Sequence, residues 1–178
     1  MSTSALKLAN SNLEMALLQA SADSFTSNEL YVWLSDSGLS GQVATRLHEL
    51  ITYTKKAGNK VFAVGKIILI KIIEFVKAHP YLVAGIGIGL TVGLAVQTLV
   101  SSIPFVGLAL APLAGALTSA LGIAILGIAG HRLDKRSQGK QVSNGFIGVA
   151  EDVIEITKEF FAFIADIFNT IFHQVITA

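Results

Sequence analysis

The stretch from Pro80 to Gly130 contains no Asp, Glu, Lys, Arg or His, and an apolar run of that length constrains the fold more than anything else in the chain. A bilayer core about 30 Å thick takes about twenty apolar residues in a helix, so the run is long enough to cross twice. It also carries its own turn. Ser101-Ser102-Ile103-Pro104 interrupts the pattern; Pro104 lacks the N–H a continuing helix needs and disfavours helical geometry at the residue before it. The pattern predicts a membrane hairpin, Tyr81 to Val100 leading out and Phe105 to Gly130 leading back.

The flanks extend this expectation. Of 178 residues, 52% are hydrophobic and 14% charged, far from the average of a globular chain. Lys55, Lys56, Lys60, Lys66, Lys71 and Lys77 precede the run, and Arg132, Lys135, Arg136 and Lys140 follow it. Under the positive-inside rule, Lys71, Lys77, Arg132, Lys135 and Arg136 set the topology. They place a multi-pass protein in the inner (cytoplasmic) membrane with both termini cytoplasmic. Met1 to Ser27 shows no charged region followed by a compact apolar core, so no cleavable signal is expected. The chain has no cysteine, which excludes disulfides and thiolate metal sites.

Residues 1–57 read as a small helical cytosolic region. Leu6, Leu8, Leu13, Leu17 and Leu18 suggest a helix over about residues 4–20. Thr26-Ser27-Asn28-Glu29 is a capping-box pattern that starts a second helix, ended by Gly38, and Ser40 caps a third whose apolar face is Val43, Leu47, Leu50 and Ile51. Gly58-Asn59 marks a break. Residues 60–78 then form an amphipathic helix with Lys60, Lys66, Lys71, Glu74 and Lys77 in one sector of roughly 140°. Packing on neighbouring helices and lying in a membrane interface both fit it. Beyond the hairpin (80–130) and a polar loop, residues 145–178 predict a long amphipathic helix. Its polar residues, including Glu151, Glu155, Glu159 and Asp166, share a sector of roughly 120°. The fold class expected is therefore all-α: an integral membrane protein with a Gly-rich two-helix transmembrane hairpin plus amphipathic helices.

Gly85, Gly89 and Gly93 recur every four residues, and Gly107, Ala111 and Gly115 answer on the second span. In lipid, small residues allow close backbone approach, so these positions predict helix packing and homo-oligomer formation; a tightly packed hairpin with no oligomer uses the same pattern. Rings of Glu151, Glu155, Glu159 and Asp166 from several copies would face a pore and favour cations. The other reading of that stripe is a solvated face.

Catalytic signals are missing. His48, His79, His131 and His173 stand singly, without metal-ligand spacing, and Gly85-Ile86-Gly87-Ile88-Gly89 lies in the wrong context for a dinucleotide fingerprint. Neither an enzyme, a metal nor a cofactor is expected. The basic residues are those topology requires, so nucleic-acid binding is not expected either.

The layout from Lys60 to Ala178, a Gly-rich two-span hairpin with basic flanks and a long amphipathic helix, resembles small two-transmembrane effectors of bacterial antiviral defence and the pore accessory of some RNA-targeting CRISPR systems. That resemblance implies a homo-oligomeric pore that permeabilises the inner membrane. The expected partners are the lipid bilayer, further copies of the chain and a cytosolic protein. Three functions stay open: a membrane pore or channel, a non-conducting anchor or scaffold that docks a cytosolic partner through residues 1–57, and a chain that inserts on a trigger.

Overall fold

The computed structural model describes residues 2–117 and 146–176, and over these the chain is mostly helical. Helix α1, Thr3–Ser24, starts where the Ser2 hydroxyl accepts the Ala5 N–H. Helix α2, Ser27–Asp36, opens on the capping box expected from sequence: the Glu29 N–H donates to the Thr26 hydroxyl, and the Thr26 N–H donates back to the Glu29 carboxylate at 2.7 Å. Ser40 caps α3, Gly41–Glu49, and a 3₁₀ turn, Leu50–Thr52, follows.

Gly58-Asn59 proves to be a hairpin turn. Lys55–Ala57 (β1) and Lys60–Phe62 (β2) pair antiparallel, with Ala57 opposite Lys60, and Gly58 takes a φ of 61° that a side chain would strain. The amphipathic helix thus starts at Val64 rather than Lys60, and α4 spans Val64–Ala78. It is the centre of the molecule. Ile67, Ile68, Leu69, Ile70, Ile72, Ile73, Phe75 and Val76 are all buried, so α4 is covered on most of its circumference by protein. Lys66, Lys71, Glu74 and Lys77 keep the one narrow wet edge; Lys71 pairs with Glu74 at 2.7 Å, and the Lys66 ammonium donates to the Phe25 carbonyl. Of the two expected readings, packing on neighbours is the one observed.

The membrane hairpin is not what forms. Pro80 restarts the chain as α5, Pro80–Ile86, and Gly87 then turns it at φ 86° and ψ 160°, a region open essentially to glycine alone. Helix α6, Ile88–Ser102, is therefore only 15 residues, about 22 Å, short of the hydrocarbon core it was expected to cross. Its Val92, Ala95, Val96 and Leu99 are buried in the same core as α4. The expected turn does appear: Ile103 ends α6, and Pro104–Val106 form a 3₁₀ turn into α7, Gly107–Leu117. No helix among the described residues is long and apolar enough to cross a membrane. This overturns the expectation of an integral, multi-pass inner-membrane protein with a transmembrane hairpin, and the membrane, pore-forming and ion-channel descriptions built on it conflict with the fold. The return span beyond Leu117, with Arg132, Lys135 and Arg136, lies outside the described residues.

The long last helix does form, as α8, Phe146–Ile176. Phe161, Ile164, Ile167, Phe168, Ile171 and Phe172 are buried along its inner side. Phe75 stacks obliquely on Phe161, while Phe172 meets Phe62 and Phe105 edge-on. The Lys55 ammonium caps that second cluster, 4.1 Å from the Phe105 ring. Helix α8 runs beside α1 and α6.

Candidate interaction surface

Helix α1 has leucines on two sides, and only one of them packs into the core of the described residues. Ser11, Met15 and Ala22 are buried, with Leu18 half-buried against the core. On the opposite side, Leu6, Asn10, Leu13, Leu17 and Ala20 follow one another at spacings of four, three, four and three, the period of a helix seam that packs on another helix. All five are exposed, Leu6 at 49%, Leu13 at 61% and Leu17 at 57%. A single exposed leucine is ordinary; a row of them at coiled-coil spacing is not.

The row borders a groove of about 640 Å³ between α1 and α8. Leu6, Asn10, Leu13 and Glu14 line it from α1, and Phe163, Asp166 and Ile167 from α8. Phe163 is 51% exposed, an aromatic ring beside the acidic residues on the outer face of α8. The Lys7 ammonium crosses the groove to Asp166 at 2.9 Å.

Helix α1 is anchored in the core through Met15 and Ala22. Besides the Lys7 ion pair, Gln19 accepts the Ala63 N–H at 2.9 Å where α4 begins, and the chain just past α1 receives Lys66 at the Phe25 carbonyl. These ties fix α1 to α8 and α4 while leaving the outer row clear, the arrangement that keeps the ordering cost of docking low.

Among the described residues, the positions singled out from sequence are not drawn together. Gly85 lies in α5, on the other side of the Gly87 break from Gly89 and Gly93, so the three share no continuous helix. A Cβ at Gly89 would meet nothing within 4 Å, and one at Gly107 only Val100 Cγ1 at 3.8 Å. Ala111 is exposed on α7, which also carries Gly115. A close backbone approach is made at Gly65, where a Cβ would collide with the Leu50 carbonyl and stand 2.9 Å from Tyr53 Cβ. Glu151 lies on α8, and Glu155, Glu159 and Asp166 are exposed on its outer face. Lys71 is half-buried and Lys77 exposed on α4.

Two polar pairs resemble reactive groups and are better explained as ties. Ser27 Oγ lies 3.0 Å from His48 Nε2, yet the same nitrogen is 3.2 Å from the Ser27 carbonyl. A carbonyl oxygen can only accept, so that contact puts the proton on Nε2, which then cannot also accept the hydroxyl proton; Ser27 is exposed and His48 half-buried, and the contact links α2 to α3. His79, buried against Phe75 and Phe160, has Nδ1 2.8 Å from the Phe75 carbonyl. No group of three or more metal-binding side chains exists among the described residues.

The row on α1 was missed from sequence, although Leu6, Asn10, Leu13 and Leu17 carry its spacing. It was hidden because Leu8 and Leu18 on the opposite side blur the amphipathic pattern. No family model, curated protein or solved structure matches this chain.

Proposed function

We propose that this protein is a non-catalytic helical docking module that binds one amphipathic helix of a protein along the outer row of α1 and the α1/α8 groove. The observation that supports it is the exposed seam of Leu6, Leu13 and Leu17 on a helix tied down at both ends. A helix that fits carries apolar residues at three- and four-residue spacing to meet the leucines and Phe163. Along its flank it carries an acid facing Lys7 and a base facing Glu14. This is the scaffold expectation for residues 1–57, narrowed to one face of α1, extended to the adjoining residues of α8 and without the membrane anchor.

A photoreactive amino acid at Leu17 tests the reading in the native cell, with the same amino acid at Asn12 as control. Asn12 is exposed on α1 but lies outside the row. The proposal expects adducts at position 17 that map to a helical peptide and vanish when Leu6 and Leu13 become Glu. Absence of adducts, or identical adducts from positions 12 and 17, would overturn it.

A further inference from the structure

We infer that the helix received by this surface is α1 of a second copy of the chain, paired antiparallel. The inference rests on the docking reading above and adds the identity and direction of the partner. The surface asks for a helix with an apolar seam flanked by one acid and one base, and α1 itself meets that description. About a two-fold axis between residues 11 and 12, Leu6 of each copy lies opposite Leu17 of the other, and Thr3 opposite Ala20. Asn10 and its counterpart then sit about 4.5 Å apart along the axis, near enough for their amides to pair, as a polar seam residue does when it fixes register.

Charge decides the direction. In an antiparallel pair the flanking positions meet their own kind, so Lys7 of each copy comes within two residues of rise, about 3 Å, of Glu14 of the other. Lys7 would then bridge its own Asp166 and the incoming Glu14. On the other flank Ala9 meets Ala16, small enough for the backbones to close. A parallel pair instead sets Lys7 beside Ser2 and Ala9, and Glu14 beside Ala9 and Ala16, with no opposite charges to match.

The full chain, which has no native cysteine, allows a direct test. Native mass should read twice the 18.8 kDa of one chain. Under mild oxidation, Thr3→Cys mixed with Ala20→Cys should give a disulfide between the two variants, whereas neither should crosslink to itself. Lys7→Glu alone and Glu14→Lys alone should each weaken the dimer on the order of tenfold, and mixing the two should restore it as a heterodimer. Circular dichroism checks that each variant, altered only at α1 surface positions, is folded. A wild-type mass of one chain at about 100 μM would overturn the inference, since association weaker than that supplies less than about 5.5 kcal/mol. So would disulfides within a single variant, a dimer that forms no disulfide, or a mixture no tighter than its parts. Adducts at Leu17 that map to a different protein would overturn the second copy while leaving the docking reading standing.

Discussion

Lys7 Nζ and Asp166 Oδ1 lie 2.9 Å apart and join the first helix to the last across 159 positions of sequence. Both side chains are more than half exposed, so the pair holds α1 in register more than it holds the fold together. Replacing Asp166 by Asn should lower stability by less than about 1 kcal/mol in a denaturant titration, because solvent screens an exposed pair. A loss of several kcal/mol would show that α1 depends on this contact for its place in the core.

Gly65 makes the opposite prediction. Its N–H donates to the Tyr53 carbonyl at 2.9 Å, and there is no room for a Cβ against the backbone of Leu50. Gly65→Ala should therefore destabilise by about 1–3 kcal/mol or more, since backbone rather than a flexible side chain must yield. Chemical denaturation of the variant checks it, and a neutral result would mean that α4 does not seat on the 3₁₀ turn as described.

Gly87 and Gly89 should respond with opposite signs. Both have open space around a Cβ, but only Gly87 has a positive φ, at 86°. Gly87→Ala should cost about 1–3 kcal/mol of backbone strain, whereas Gly89→Ala, inside α6, should stabilise by about 0.5–1 kcal/mol. If both substitutions stabilise, the helix runs on through Gly87.

Acid should loosen the start of α2. The Glu29 carboxylate accepts the Thr26 N–H and, secondarily, the Thr26 hydroxyl, and these bonds hold its pKa below the ordinary carboxylate value. A lowered folded pKa contributes stability that is present above the unfolded pKa and lost as pH falls through the folded one. Thermal unfolding followed from neutral pH into the acid range should show this loss in the wild type. Glu29→Gln should remove that part of the pH dependence.

Local signals in the sequence were accurate where a specific backbone group had to be satisfied. The capping box at Thr26, the Ser40 cap and the turn before Pro104 all stand where they were expected. So does the span of α8, whose amphipathic pattern is continuous. Burial was less legible. An apolar run such as Ile88 to Leu99 has the same composition whether lipid or protein surrounds it, and periodicity does not separate the two. The deciding residue, Gly87, is one glycine among several, and its left-handed turn leaves no mark in hydropathy. Leu50 and Gly65 are brought together by tertiary packing, which no local pattern encodes. On α1, the core-facing and outward leucines cancel each other's periodicity, so the exposed row stands out only once α4 and α8 have claimed the other side.

The most direct measurement of whether that row is occupied is the alkylation rate of a single cysteine at Leu13, set against one at Asn12 on the same helix, in intact cells and in the purified chain at high dilution. Both positions are exposed in the isolated chain and share the local opening of α1, so any difference between them reports a bound helix. The account predicts similar rates at high dilution and, in cells, a rate at position 13 at least about tenfold slower than at position 12, as a site occupied more than nine-tenths of the time requires. Equal rates at the two positions in cells would contradict it.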